Sequence, residues 1–204
     1  MYLQELDYTS VIEVAESGLE LIRRHEKDTG RKINQWVFPF PKSAFAITTS
    51  FRVRKAFNVS LAAALVHLYP PKHHARALRL LDDVLTFDAN NVDALVGRGY
   101  IFQHTGKWEE ARALFDKATS LLPPETLKSI RAKEESAWCL SKIQVEQGVQ
   151  ALKEVLKELQ GDEHDMDRAR CLWRIGKGCW EMGGWSTPPH PLASVSYLER
   201  SRLS

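Results

Sequence analysis

Histidines and carboxylates are the first side chains of this 204-residue chain to consider for chemistry, because they bind metals and transfer protons. His73 and His74 are adjacent, so their side chains point apart, and the nearest acids, Asp82 and Asp83, lie further along a predicted helix. His164 lies in an acidic segment that is typical of a solvated loop. Neither group has the His-Xaa-Xaa-Xaa-His spacing of a zinc site. We therefore predict no metal site.

The three cysteines are the next candidates for chemistry. Cys139, Cys171 and Cys179 match no zinc or redox spacing, and we predict that all three are small, reduced, buried thiols. The sequence also has no glycine-rich phosphate loop and no nucleophile elbow. We accordingly predict no catalytic residue, no cofactor and no enzymatic activity.

Charge gives little indication of nucleic-acid binding. Lysine and arginine number 28 against 26 aspartates and glutamates, which leaves a net charge of +2. Lys128, Arg131 and Lys133 lie near Trp138, and we interpret this small basic and aromatic group as an exposed helix face. We predict no strong direct binding of nucleic acid, because a dedicated binder carries a larger basic excess.

Nothing in the sequence indicates a membrane protein. No run approaches the roughly 18 apolar residues of a membrane span, and residues 1–7 lack the basic and apolar regions of a secretory signal. We expect no membrane contact and a cytoplasmic location, with the nucleus as a second compartment.

The elements that position these side chains are helices, and the clearest pair covers residues 92–122. In both helices, apolar or small residues recur at helical spacing on one face. Gly106 is placed to end the first helix, and Pro123 follows the second. The positions that form the pattern are Leu95, Gly99 and Phe102, followed by Ala111, Leu114, Phe115 and Ala118.

A period of 34 residues extends this pattern towards the N-terminus. It predicts a second helix pair over 58–89, in which Ala77 and Leu81 correspond to Ala111 and Phe115. Residues 88–91 supply a turn and an N-cap between the pairs. We predict burial of the shared positions, namely Ala77, Leu81, Leu95, Gly99, Phe102, Ala111, Phe115 and Ala118.

Partial units flank the two pairs. Residues 1–33 are typical of a single second-type helix, and 134–146 with 149–160 are predicted as a pair around Gly148. Residues 172–180 are predicted as a first-type helix with Gly176 at its close-packing position. The chain thus begins and ends within repeats, and we interpret it as a fragment of a longer array.

Two segments lack the helical period. Residues 34–57 contain aromatics, two prolines and a threonine–serine run, and we predict an irregular insertion there. It is either an aromatic docking loop or an exposed insertion without a role. Residues 184–204 form a proline-rich tail. The predicted organisation is therefore a partial unit (1–33), an insertion (34–57), a helical array (58–183) and a tail (184–204).

The pattern of 92–125 resembles the tetratricopeptide repeat (TPR) at almost every signature position, with Arg98 in the place of the usual leucine. The resemblance implies an all-α, right-handed solenoid of helical hairpins that binds proteins. It also implies which residues of the first helix face the concave groove: Asp93, Val96, Tyr100, Gln103 and His104. Tyr100 is the anchor that we expect, because an aromatic ring with a polar tip suits an interface.

Residues 15–30, 61–71, 94–101 and 173–183 together resemble the superkiller family of fungal TPR scaffolds. That resemblance implies a scaffold of the Ski complex, with an RNA helicase and a WD40 protein as partners in exosome-dependent 3′-to-5′ mRNA decay. Another TPR adaptor of the co-chaperone type and an accessory array of a larger enzyme remain open. A carboxylate clamp is disfavoured, because apolar Val96 and the ring of Tyr100 replace its Lys and Asn.

Overall fold

The computed structural model describes residues 7–29, 44–68, 70–161 and 164–183, and the segments between them and at both ends are left aside. The described residues form helices and turns without strands, as the sequence predicts. Their helices are α1 (Tyr8–Thr29), α2 (Ala44–His67), α3 (His74–Phe87), α4 (Val92–His104), α5 (Trp108–Ser120), α6 (Leu127–Ile143), α7 (Val145–Glu158) and α8 (Asp165–Gly183).

The first of two compact units ends at His104 and contains α1 to α4. Each helix of this unit packs against the next one, and α2 also contacts α4. The short connections after α2 and α3 make the neighbouring helices antiparallel. Burial of small and branched side chains holds the unit together. Its core comprises Ala15, Leu61, Ala62, Leu65, Val66, Ala77, Leu81, Val84, Ala94 and Ile101.

The second unit begins at Thr105 and contains α5 to α8. Here α6 contacts α5, α7 and α8, so that it is covered on several sides. This position explains why α6 has more buried residues than its neighbours, including glutamates and serines. The core that α6, α7 and α8 share comprises Ile130, Ala137, Trp138, Val149, Leu152, Val155, Leu159, Cys171 and Ile175.

Local sequence sets several helix ends. The side chain of Asp7 accepts a hydrogen bond from the Ser10 amide at 3.0 Å at the start of α1. Asn91 does the same for α4, accepting from the Ala94 amide at 3.0 Å. Gly106 has φ +75° beyond the end of α4, a conformation that costs glycine little. The predicted cap after Asp88 and the predicted glycine stop are both confirmed.

The burial prediction holds at seven of its eight positions. Phe102 differs, because its ring is only half-buried and the Arg98 guanidinium lies 5.4 Å from the ring centre. Arg98, which replaces the leucine of the repeat pattern, therefore lies over Phe102, the one residue of the eight that is not buried.

Two predicted boundaries are wrong. Helix α2 begins at Ala44, so the segment predicted as irregular (34–57) is helical from that residue onward. Gly148 lies inside α7, and the turn before it is the single residue Gln144. A Cβ atom at 148 would overlap the backbone of Ser141, so this glycine permits the close approach of α6 and α7. The tail after 183 and residues 34–43 lie outside the described residues.

Candidate functional site

The five residues predicted to face a groove all lie on α4. The side chains of Asp93 and His104 are exposed, those of Val96 and Tyr100 are half-buried, and that of Gln103 is buried. The accessible members therefore follow one face of the helix from its first turn to its last. Their role in binding a protein remains a prediction.

The structure brings Tyr100 and His104 together with rings from other helices of the first unit. We call Tyr8, His67, His74, Tyr100 and His104 the ring cluster. The His67 ring lies 5.8 Å from that of Tyr8 and 5.1 Å from that of Tyr100, centre to centre. His74 stacks on His104 at 5.3 Å. The cluster joins α1, α2, α3 and α4 by contacts between rings.

His74 is the buried member of the ring cluster. Its Nε2 atom lies 3.4 Å from the Val66 carbonyl oxygen and 3.4 Å from Nδ1 of His104. His73, whose side chain was predicted to point away from that of His74, takes no part in these contacts. Across the described ranges, no group of three or more His, Cys, Asp or Glu side chains is arranged to hold a metal.

The second unit joins α6 to α8 by charged side chains, which we call the charge ladder. Arg131 binds Asp167 through two hydrogen bonds of 3.0 and 2.9 Å. One turn further along, Arg170 binds Glu134 at 2.9 Å and also reaches Asp167 at 2.9 Å. Next in sequence, Arg174 binds Glu135 at 2.8 Å and lies 3.1 Å from Glu134.

The charges of the ladder neutralise one another in a buried place. The side chain of Glu134 is 1% exposed, and an unpaired carboxylate there would be costly. Burial raises the pKa of the Asp167 carboxyl, but hydrogen bonds and charge from Arg131 and Arg170 outweigh it and hold the pKa below its ordinary value. The hydrogen bond to Glu134 raises the pKa of Arg170, against the effect of burial. Asp167 and Arg170 therefore remain ionised near neutral pH.

The ladder continues into a surface that combines tryptophan and lysine, which we call the Trp–Lys face (Trp138 and Lys142 on α6; Trp173 and Lys177 on α8). The Lys142 ammonium lies 4.3 Å from the centre of the Trp138 ring. Lys177 lies 5.4 Å from the Trp138 ring and 5.3 Å from the Trp173 ring. These distances allow cation–π attraction.

Sequence reasoning missed the Trp–Lys face, although the signal was present. A Trp-Xaa-Xaa-Xaa-Lys pattern begins at Trp138 and recurs 35 residues later at Trp173. A spacing of four residues places both side chains on one helix face. The prediction of an exposed face with Trp138 beside Lys128, Arg131 and Lys133 is wrong, because Trp138 is buried. Arg131 and Lys133 instead pair with Asp167 and Glu158.

The thiols of the second unit differ in accessibility. Cys139 and Cys171 are buried, as predicted, whereas the prediction is wrong for Cys179, which is exposed. The Cys171 thiol donates to the Leu152 carbonyl oxygen at 3.3 Å. Burial, with a further contribution from Glu134, raises the pKa of Cys171 to about 12. These properties fit packing and not nucleophilic chemistry.

Comparison with known proteins gives one informative similarity. No family model matches the chain. The chain is 26% identical over 179 residues to Superkiller protein 3 of Saccharomyces cerevisiae (strain ATCC 204508 / S288c). The aligned part is 86% of this chain and 11% of the yeast protein. The helical hairpins and this similarity are both consistent with an all-α array of helical-hairpin repeats.

The ring cluster and the Trp–Lys face are the two aromatic surfaces among the described residues that could contact another molecule. The ring cluster and the Trp–Lys face each contain a partly exposed aromatic ring, and aromatic rings are enriched in protein-binding surfaces. Among the described helices, none is long and apolar enough to cross a membrane.

Proposed function

We propose that the chain is a protein-binding segment of a superkiller-type TPR scaffold, without catalytic activity of its own. The observation that carries the proposal is the similarity to Superkiller protein 3 over 86% of the chain. The helical hairpins of both units support it, because TPR proteins use such helices to present extended binding surfaces.

The finer role follows from the family resemblance. We propose that the full-length protein holds an RNA helicase and a WD40 protein in the cytoplasm and acts in exosome-dependent 3′-to-5′ mRNA decay. The near-neutral net charge supports a scaffold more than an RNA-binding subunit, since RNA affinity depends on neutralising phosphates.

On α4, we propose that Asp93, Val96, Tyr100 and His104 contact a partner, with Gln103 supporting them from its buried position. Tyr100 is the anchor of this set. Its ring is half-buried against His67, which would hold it in place before a partner arrives.

The proposal is tested by affinity purification of the tagged full-length protein from its native cells. We expect a superfamily-2 RNA helicase and a WD40 protein to co-purify, and Tyr100→Ala to reduce the recovery of a partner that Tyr100→Phe retains. Phe87→Ala, which removes an exposed ring on α3, is the matched control. Recovery of Hsp90-type chaperones in place of these proteins would assign the chain to the co-chaperone adaptors.

A co-chaperone adaptor is the second candidate, and the residues of α4 weigh against it. A carboxylate clamp requires Lys and Asn side chains in the groove, and the corresponding positions of α4 hold Val96 and Tyr100. A peptide that ends in an acidic motif should therefore bind weakly to this segment. An accessory array of a larger enzyme would instead be recognised by catalytic activity of the purified full-length protein.

A further inference from the structure

The end of α2 has a buried carbonyl group whose usual helical donor is missing. In a continued α-helix the amide of residue 70 would donate to the Val66 carbonyl oxygen, but residue 70 is proline and has no N–H. Val66 is fully buried, and a buried carbonyl group requires a donor. The Nε2 atom of His74 on α3 lies 3.4 Å from the Val66 oxygen. The His74 ring therefore takes the place of the missing amide.

This contact decides which ring nitrogen of His74 carries the proton. A carbonyl oxygen only accepts hydrogen bonds, so the proton lies on Nε2 and the neutral ring has a bare Nδ1. That Nδ1 atom is buried without a hydrogen-bond partner. The other tautomer would bury an N–H group that no atom accepts, and it would turn a lone pair of Nε2 towards the Val66 oxygen. The contacts of His74 thus select one tautomer.

The same N–H group fixes the proton of His104, the last residue of α4. Nδ1 of His104 lies 3.4 Å from Nε2 of His74. Because that Nε2 already carries a hydrogen, Nδ1 of His104 must be bare and accept it. The equal distances from Nε2 to its two neighbours are those of a three-centre hydrogen bond. In the neutral His104 ring the proton therefore lies on Nε2.

Ring contacts hold His104 in the orientation that this hydrogen bond requires. The His74 ring is nearly parallel to the His104 ring, with 5.3 Å between the centres and 13° between the planes. The His67 ring meets the His104 ring edge-on, at 6.3 Å and 81°. The His74 side chain is buried, whereas that of His104 is exposed. A buried side chain therefore controls the proton position of an accessible one.

We propose that His74 is a positioning residue of the α4 contact surface, and that it makes His104 a hydrogen-bond donor through its Nε2–H group. The inference rests on the proposed function, because His104 belongs to the surface proposed there. It specifies the chemistry of the contact: the group that meets His104 is a hydrogen-bond acceptor, such as a main-chain carbonyl oxygen. An N–H group of a partner would face a second donor, which disfavours that partner.

NMR of the ring nitrogens tests the tautomers directly, because a bare nitrogen and a protonated one have well-separated chemical shifts. The test uses the full chain labelled with nitrogen-15 at pH 8, above the ordinary histidine pKa of about 6.5. Variants of His73, His74 and His104 assign the signals. We expect a protonated Nε2 and a bare Nδ1 in both His74 and His104. The Nε2–H proton of His74 should exchange slowly with solvent, because its ring is buried.

Substitution of His74 tests whether it sets the tautomer of His104. His74→Leu removes the donor, and the Nδ1 signal of His104 should then move towards the value of a ring that exchanges between both tautomers. His74→Gln retains an amide N–H group and should reverse most of that change. His73→Leu, which alters the adjacent histidine outside these contacts, is the matched control. Circular dichroism shows which variants are folded, and the unsubstituted protein decides the tautomers even if His74→Leu is not.

Affinity purification with the same variants tests the use of the donor. Recovery of a partner that depends on Tyr100 should fall about threefold or more with His74→Leu, as for the loss of one hydrogen bond. His74→Gln and His73→Leu should retain it. Because both His74 variants lose the ring, a loss confined to His74→Leu identifies the hydrogen bond and not the packing of the ring as the cause.

Three results would overturn the inference: a protonated Nδ1 in His74 or His104 of the unsubstituted protein, a His104 signal that a folded His74→Leu variant leaves unchanged, or Tyr100-dependent recovery that His74→Leu does not reduce. If the tautomers are as expected but no protein partner is recovered, the proposed function fails and the effect of His74 on His104 remains. If a Tyr100-dependent partner is recovered while His104 carries its proton on Nδ1, the proposed function stands and this inference fails.

Discussion

The two units connect corresponding helices with different chemistry. In the first unit, α2 and α4 meet through rings, with His67 against Tyr100 at 5.1 Å. In the second unit, α6 and α8 meet through the charge ladder, whose carboxylates are buried. Ring contacts tolerate small shifts along a helix, whereas a bidentate ion pair is formed in one register. A few residues therefore decide whether the corresponding helices of two repeats are joined loosely or in a fixed register.

The difference also affects what each interface exposes. In the ring cluster, Tyr100 is half-buried and His104 is exposed. The accessible rings of the first unit are therefore the same rings that join its helices. The ladder uses its charges internally and leaves Trp173 and Lys177 at its edge. In both units, partly exposed aromatic rings therefore lie beside the joint between the helices, and in the second unit Trp138 and Lys142 belong both to the Trp–Lys face and to the joint.

Removal of one ladder carboxylate should give the largest difference between the units. Glu134→Ala removes a buried carboxylate that Arg170 and Arg174 share, while Asp167 and Glu135 remain as their partners, and we expect a loss of about 1.5–3 kcal/mol in the free energy of unfolding. His67→Ala removes an exposed ring from the first unit and should cost no more than about 1 kcal/mol. Urea titration followed by tryptophan fluorescence and circular dichroism measures both.

A triple replacement distinguishes the effect of breaking the ion pairs from the effect of altering side-chain packing at the same positions. If Glu134, Glu135 and Arg174 are all changed to methionine, the loss should largely disappear, because Arg170 keeps Asp167 as a partner and no buried charge is left without its pair. Equal losses for Glu134→Ala and His67→Ala would show that the two joints do not differ as described.

Glycine substitution gives the next largest contrast. Gly148→Ala places a methyl group against the backbone of Ser141, so α6 and α7 must separate, at a cost of about 1–3 kcal/mol. Gly97→Ala in the first unit meets the methyl groups of Leu81 at 3.3 Å. These can yield, and alanine gains about 1 kcal/mol in helix propensity. Thermal melting should show a clear loss for the first variant and a change near zero for the second.

Much of the fold could be predicted from the sequence, because the signals were local. The 34-residue period, the Asn91 cap and the Gly106 stop each depend on a few neighbouring residues. The start of α2 was missed because its first eight residues mix Ala, Phe and Ile with two threonines and a serine, without an apolar stripe. The turn at Gln144 was missed because it contains neither Gly nor Pro.

The candidate sites were less predictable, because they depend on residues far apart in sequence. The ladder pairs Arg131 with Asp167 across 36 positions and Arg174 with Glu135 across 39. No local pattern gives these partners. Tyr100 and His104 could be selected from the repeat register, but their contacts with His67 and His74 required the packing of four helices.

Acid should act on the ladder through Asp167. The pKa of this carboxyl is lower in the folded protein than the ordinary value of about 3.9. Its contribution to stability is therefore complete above the ordinary value and is lost as the pH falls towards the folded pKa. We expect unfolding free energy to decline below about pH 4, and Asp167→Asn to make that decline shallower. A variant with an unchanged slope between pH 5 and pH 2 would show that other carboxylates govern acid unfolding.

Thiol labelling should detect the smallest effect, which is local opening of the second unit under native conditions. All three cysteines lie in this unit, so their alkylation does not report on the first. At pH 8 we expect iodoacetamide to modify Cys179 readily. Cys171 should remain protected, because its pKa is raised to about 12 and the thiolate is the reactive form. Peptide mass spectrometry gives the rate at each site.

Glu134→Ala should speed labelling of Cys171 more than that of Cys179, whereas His67→Ala should alter neither, because its ring belongs to the other joint. A faster rate at Cys171 in the His67 variant would mean that opening of the first unit is transmitted to the second, and the two joints could then no longer be treated as independent.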